Sequence, residues 1–464
     1  MRLLAVTYGT EGDTRPLVML CRGLLDAGHQ VQLLAEAATL SSAAALGVPH
    51  AALAGDIHDE VVALVGRGNS MAAAARGLAR MARDHTESWM GQADAAAAGC
   101  DAVLTGGLAA LGVPHAALAG DIHDEVAALV GRGNSMAAAA RGLARMARDH
   151  TESWMGQADA AAAGCDAVLT GGLAALVGLS VAERHGIRAI GTGMIPLTPT
   201  RAFASPFLPP VPTPAVVRPL GYRLVNHAVW RSFRGPLNAA RARRGQPPRR
   251  HLWQNLPMLY GISPQLLPTP PDWPADHRLC GQWRRPPLPW TPPPALQAFL
   301  DAGPPPVYLG FGSMTGFDAS VLPALLRALV PRRVLLFAGW AGLPQAALAD
   351  NVFVLDPTPH EWLFPRCALV IHHGGSGTTH SACHAGVPSL VMPLAADQFF
   401  WAQRLQRLGV APAPLRAQRL DAATLAAAVA FAEAPQTQAR AAALGAAMAD
   451  EDGVADAVAA IEAM

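Results

Sequence analysis

The stretch that most narrows the choice of fold runs from Val370 to Trp401, VIHHGGSGTTHSACHAGVPSLVMPLAADQFFW. The apolar run Ala368-Leu369-Val370-Ile371 has the length and composition of a buried strand. His372 and His373 follow, then Gly374-Gly375-Ser376-Gly377-Thr378-Thr379. Ser381 to Ala385 suits the start of a helix that Gly386-Val387-Pro388 ends. Ser389 to Pro393 reads as the next strand, and Asp397-Gln398 comes after it. Strand, glycine-rich turn, helix and strand in that order imply an α/β architecture.

The chemistry of such a turn is specific. The first N–H groups of a helix have no partner within it, and the aligned peptide dipoles place about half a positive charge there. Glycines let the backbone approach an anion closely and adopt positive φ. The product is a cradle for phosphate. His373 has an N–H for a phosphate oxygen, and Ser376 and Thr378 have hydroxyls. Asp397 and Gln398 fall at the end of a strand, where open α/β sheets bind ligands, and a carboxylate beside an amide suits sugar hydroxyls. A glycine-rich loop alone is often only a tight turn. The His-His prefix and the Asp-Gln suffix favour the binding site.

Taken together, HHGGSGTT and AGVPSLVMPLAADQFFWA resemble the donor-binding signature of nucleotide-sugar glycosyltransferases with the two-domain GT-B fold. The resemblance is greatest to the bacterial branch that includes glycopeptide-antibiotic and sterol glycosyltransferases. It implies two Rossmann-like, doubly wound domains facing a cleft, with donor contacts from Gly375, Ser376, Gly377 and Thr378 as well as His373.

At 464 residues the chain is long enough for two domains. Its net charge of +1 and 15% charged residues give no electrostatic footprint for nucleic acid. Every basic residue is Arg; the lack of Lys excludes both a P-loop lysine and a Schiff-base lysine. MRLLAVTYGTEGD is too short in apolar residues for a secretion signal, and no apolar run is long enough to span a bilayer, so a cytoplasmic protein is expected. The six cysteines form no CxxC pair, so reduced thiols are expected.

Arg2–Thr7, Leu17–Ala27 and Gln30–Ala35 read as strand, helix and strand, the start of a parallel sheet. Asp13 then falls in the loop after the first strand. YGTEGDTRPL resembles the opening of the same glycosyltransferase branch, which implies that Asp13 is the general base; an ordinary loop or N-cap aspartate is the plainer reading. Next, residues 46–110 recur almost unchanged as residues 111–175, differing only at Val62 against Ala127. Two near-identical copies are unlike a diverged repeat array. Only one is needed to complete the sheet. The expectation is a hybrid, with Pro49–Leu53 of the first copy beside the second strand and Ala167–Thr170 of the second copy beside the first strand. The duplicated histidines His58, His85, His123 and His150 are explained by duplication rather than by a metal.

Met194 to Phe203 is Pro-punctuated and apolar, and resembles the family's acceptor-side loop. Tyr222 to Arg244 reads as a basic amphipathic helix, with Trp230 and Phe233 suited to core packing and at most peripheral membrane contact. Pro257–Ser263 is expected to be the last strand of its domain, and the dense prolines from Pro264 to Pro294 a stiff connection pinned by Trp273, Trp283 and Trp290. The expected organisation is an acceptor-binding domain over 1–275, a linker over 276–298 and a donor-binding domain over 299–464. In the last of these, the resemblance puts Gly312 and Ser313 beside the diphosphate, and His360, with Trp340, near the nucleobase. Glu451 to Met464 reads as a terminal helix.

The implied reaction is inverting transfer of a sugar from a UDP- or dTDP-linked donor to a hydroxyl of a lipophilic acceptor. The donor is a substrate, so no cofactor is expected, and with no Asp-x-Asp pair assigned to a metal none is expected there either. Two other readings remain: a sugar-nucleotide epimerase of the same fold, and a donor-binding homologue impaired by the duplication.

Overall fold

The computed structural model describes residues 1–8, 11–36, 115–118, 136–208, 212–284, 290–311, 321–337, 348–394, 396–416 and 420–464. Gly312, Ser313, Trp340, His58, His85, His123 and the whole first copy of the repeat lie outside them.

The chain opens with strand β1 (Arg2–Tyr8), helix α1 (Glu11–Asp26) and strand β2 (Gln30–Glu36). Strand β3 (His115–Leu118), helix α2 (Met136–Ala161), strand β4 (Ala167–Gly172), helix α3 (Ala175–His185) and strand β5 (Arg188–Gly193) follow. Then come helix α4 (Arg218–Arg243), β6 (Met258–Tyr260), β7 (His277–Leu279), α5 (Pro294–Asp301), β8 (Val307–Gly310), α6 (Val321–Leu329), β9 (Val334–Phe337) and β10 (Val352–Val354). The chain ends with α7 (His360–Leu363), β11 (Leu369–His372), α8 (Ser376–His384), β12 (Ser389–Val391), α9 (Gln398–Leu408), α10 (Ala422–Glu433), α11 (Pro435–Ala449) and α12 (Gly453–Glu462). Two compact units result: Met1–Ile122 with His150–Ala189, and His123–Asp149 with Ile190–Met464.

In the first unit four parallel strands lie in the order β3-β2-β1-β4. β1 pairs with β2 at Leu3↔Val31 and with β4 at Leu3↔Ala167. Leu3, Leu4, Ala5 and Val6 are all buried, as expected of a central parallel strand covered on both faces. The strand beside β2 corrects the hybrid expectation. It is His115–Leu118, from the second copy, paired at Leu33↔His115. β4 comes from the same copy. One copy therefore supplies a whole strand–helix–strand crossover, which needs no closure across a second copy.

In the second unit five parallel strands take the order β10-β9-β8-β11-β12, a doubly wound arrangement. Side chains alternate across it. Val307, Leu309, Leu369, Ile371 and Leu390 pack with Leu325, Leu329, Leu425 and Val429 on one face. Tyr308, Leu335 and Val370 pack with Leu296, Leu363 and Phe364 on the other.

The same unit holds β5, β6 and β7 in parallel register, Gly191↔Met258 and Met258↔His277. β6 is thus not the last strand of its sheet, because His277–Leu279 adds another inside the expected linker. Trp273 and Trp283 are buried, and Trp290 meets Trp362 edge-on at 4.7 Å, so the three indoles do fasten this segment. On α4, Trp230 and Phe233 are buried as the sequence implied.

Candidate active site

In a doubly wound sheet the ligand crevice lies outside the carboxyl ends of the strands, where the strand order reverses. In the second unit that point falls between β8 and β11, which pair at His372↔Gly310. The residues that leave β11 there are His373, Gly374 and Gly375. The helix begins at Ser376 rather than near Ser381, so the turn is only three residues long, two of them glycines. The first intrahelical bond of α8 runs from Thr379 N to Gly375 O at 3.0 Å. The N–H groups of Ser376, Gly377 and Thr378 precede it and have no acceptor within the helix.

Each glycine is required by a neighbour. Gly374 has φ +94°, and a Cβ there would stand 2.8 Å from Val391 Cγ1 and 2.9 Å from Gln398 O. This close approach brings the exit of β11 against the start of α9. The His-Gly-Gly and Asp-Gln segments, twenty-four residues apart in sequence, therefore meet. A Cβ at Gly375 would lie 2.6 Å from His373 Nε2, so the imidazole occupies the space a side chain would fill.

The histidines divide by role. His372 is completely buried, and its Nδ1 accepts from Gly374 N at 3.1 Å, which shapes the turn. Burial pushes its pKa down to about 3. His373 is partly exposed, but its Nδ1 is shut off from solvent without a protein partner. Burial pushes its pKa down to about 4, so it enters at pH 7 as a neutral imidazole with one N–H.

Other expected donor residues are engaged with protein groups. Ser376 Oγ donates to Met194 O at 2.9 Å, tying the first turn of α8 to the loop after β5. Thr378 is partly exposed on the same turn. Gln398 is buried, and its Oε1 accepts from Leu394 N at 2.7 Å. Asp397 accepts from the Trp401 indole at 3.1 Å and remains partly exposed. The residue before it, Ala396, has φ +52°, a left-handed conformation costly for a side-chain-bearing residue and typical of functional turns. His360 stacks on Phe364 at 4.2 Å and stays partly exposed at the start of α7.

A group the sequence reading missed binds this site together. His380 is buried, with Nδ1 against Ser376 O at 2.7 Å and Nε2 accepting from Ser263 N at 3.2 Å. Ser263 Oγ donates to Glu451 Oε1 at 2.6 Å. Trp401 packs edge-on to His380 at 5.1 Å, within a cluster of Phe203, Tyr222, Tyr260, Ile262, Leu267 and Trp273. Only the four-residue spacing of Ser376 and His380 on one helix face hinted at this. The loop after β5 is equally fixed: Thr198 Oγ1 lies 2.7 Å from both Tyr260 Oη and His277 Nδ1, and Thr200 Oγ1 donates to Asp272 at 2.5 Å.

Asp13 is not in a loop. It lies in the first turn of α1. That turn follows β1, which pairs with β4 at Tyr8↔Gly172, the order-reversal point of the first sheet. The one Asp-x-Asp spacing in the chain, Asp450-Glu451-Asp452, serves structure: Asp452 caps α12 through Ala455 N, and Glu451 holds Ser263.

Residues 334–464 match the family model for the erythromycin biosynthesis protein CIII-like C-terminal domain. Over the whole chain, the sequence is 30% identical to an O-mycaminosyltylonolide 6-deoxyallosyltransferase of Streptomyces fradiae, covering 97% of that protein. The chain belongs to the GT-B nucleotide-sugar glycosyltransferases. This glycosyltransferase is also 36% identical to the vancomycin aglycone glucosyltransferase of Amycolatopsis orientalis, over 73% of the chain and 83% of the relative. A sterol 3-beta-glucosyltransferase of Arabidopsis thaliana is 34% identical over 60% of the chain, which spans 47% of that protein. Among solved structures, the glycotransferase of kitacinnamycin superposes with a TM-score of 0.63 at 18% identity, covering 100% of this chain and 98% of its own. A Streptomyces sp. SF2575 glycosyltransferase complexed with thymidine diphosphate superposes at 0.55 with 18% identity, covering all of both chains. These likenesses extend the shared fold, two parallel-sheet Rossmann-like domains, over the glycosyltransferase as a whole.

Proposed function

We propose that the enzyme transfers a sugar from a UDP- or dTDP-linked donor, with inversion and without a metal, to a hydroxyl of a lipophilic small molecule. The observation that carries this reading is the two-glycine turn at the order-reversal point of the second sheet, which presents the N–H groups of Ser376, Gly377 and Thr378 beside His373. These groups receive the diphosphate. The acceptor oxygen attacks the anomeric carbon as the bond from that carbon to the phosphate oxygen breaks. Asp13 takes the acceptor's proton, and the charge that develops on the departing diphosphate is met by the α8 amides and the His373 N–H. Back-side displacement inverts the anomeric centre.

The N-terminus of α8 is the charge-stabilising device assigned here. Asp397 and Gln398 meet sugar hydroxyls, and His360 with Gly312 and Ser313 completes the nucleotide side. The relatives are named for O-mycaminosyltylonolide, vancomycin aglycone and sterol, and these are the acceptors to be tried first.

The test is turnover of UDP- and dTDP-sugars against a panel of such acceptors, with the product's anomeric configuration read by NMR and the assay repeated in EDTA. A retained configuration removes the single-displacement step, and loss of rate in EDTA removes the metal-independent one. Donor incubated alone separates transfer from epimerisation.

A further inference from the structure

Between Arg184 and Pro271 the sequence has eleven arginines and neither Asp nor Glu, in a chain whose overall charge is only +1. The long helix of this stretch is α4, preceded by a single 3-10 turn over Ala215–Val217. Its buried residues, Tyr222, Trp230, Phe233, Leu237 and Ala240, follow the helical period and face the protein. The opposite face is not covered, and its first part is apolar. Val216 is 73% exposed, Leu220 55% and Leu224 57%. At four-residue spacing these three aliphatics fall in one row. The row continues with Arg223, Arg231 and Arg234, all exposed, and among the described residues no carboxylate pairs with them. From Val216 to Arg234 the stripe is roughly 27 Å long at 1.5 Å per residue.

We infer that this face of α4 is a docking surface for an anionic lipid bilayer. The aliphatic end enters the headgroup region, and the arginines meet lipid phosphates. Three observations select that partner. The exposed aliphatics serve no purpose against a bare polyphosphate, where arginines alone provide the affinity. α4 itself carries no Asp or Glu to repel an anionic surface. The row joins an apolar end to a cationic flank on one helix lying along the surface, the pattern of interfacial helices. No helix among the described residues is long and apolar enough to cross a membrane, so the contact is peripheral. The inference rests on these residues and stands apart from the proposed reaction.

The experiment is co-sedimentation of the full chain with vesicles of phosphatidylcholine alone and of phosphatidylcholine mixed with phosphatidylglycerol. Binding is expected to the mixed vesicles only, and to weaken as salt rises. Arg223→Gln, Arg231→Gln and Arg234→Gln together are expected to weaken it about a hundredfold, at ~1 kcal/mol per charge. Val216→Ser, Leu220→Ser and Leu224→Ser together are expected to abolish it without lowering the melting temperature, since these side chains are in water already. Failure to sediment with either vesicle overturns the inference. So does equal binding to both vesicles that the arginine changes leave intact. Conversion of an oligomer to a monomer by the serine changes overturns it too, because the face is then an interface between copies of the chain.

Discussion

Gly375 and His373 occupy one space between them, and that fact sets the sharpest expectation at the scale of single residues. Gly375→Ala would put a methyl group 2.6 Å from His373 Nε2 and turn the imidazole out of the cradle. A lost hydrogen bond to a charged ligand is worth about 1.5–3 kcal/mol, so diphosphate affinity is expected to fall by about 10- to 100-fold. Calorimetric titration with UDP and dTDP reads this directly. Ala396→Gly works in the other direction, since φ +52° suits glycine. It is expected to raise stability by about 1 kcal/mol, seen as a higher denaturant midpoint. Asp13→Asn keeps the shape of the side chain and removes its basicity. Turnover is expected to drop by at least about a hundredfold with the melting temperature unchanged, and wild-type rates would remove Asp13 from its role. The sequence made His373, Gly375 and Asp397 legible as chemistry because their types are unusual in that order. It did not reveal that Ser376 donates to Met194, nor that Gln398 is held by Leu394 N, because those partners are main-chain atoms whose place depends on the packed sheet.

At the scale of elements, α8 carries both ends of the argument. Its first N–H groups precede the first intrahelical bond, and one turn later His380 is buried against Ser263 and Trp401. His380 and His372 are both held neutral by burial, with pKa values pushed down to about 4 and about 3 from an ordinary value near 6.5. The unfolded chain therefore binds their protons first. Stability conferred by these two groups is fully present above pH 6.5 and is lost as pH falls from there to about 4 for His380 and about 3 for His372, on the order of a few kcal/mol for each. Melting scans across that window are expected to show a fall on the order of 10 °C. A flat profile would mean that both rings are solvated. The elements themselves were mostly legible in the sequence, since apolar runs such as Val334–Phe337 and Leu369–His372 punctuate the second half clearly. Two errors have physical causes. Ser376–Thr379 is rich in Gly, Ser and Thr, which lack strong helix propensity, yet the packed sheet starts the helix there. His277–Leu279 is a short edge strand inside a proline-rich segment, and only its partner β6 shows it to be one.

At the scale of the whole molecule, the duplication decides most. Composition alone could say that one copy is surplus, but not which, since the two are the same apart from Val62 and Ala127. The pairing of His115–Leu118 with β2 and of Ala167–Gly172 with β1 assigns the first sheet to the later copy. Deleting residues 46–110 then leaves a connection of thirteen residues between β2 and β3 in place of residues 37–114. Counted as loop closure alone, the shorter chain is expected to be more stable by about 1.5 kcal/mol and to keep its turnover. A shorter chain that fails to fold would assign the earlier copy a role in the native state. The arrangement also bears on inheritance. Tandem stretches of matching DNA recombine with each other, and losing one full copy removes a whole number of codons, so the reading frame survives. Whichever copy is lost, the product still encodes a strand to lie beside β2 and another to lie beside β1, and the gene therefore carries a shorter version of itself that a single crossover releases.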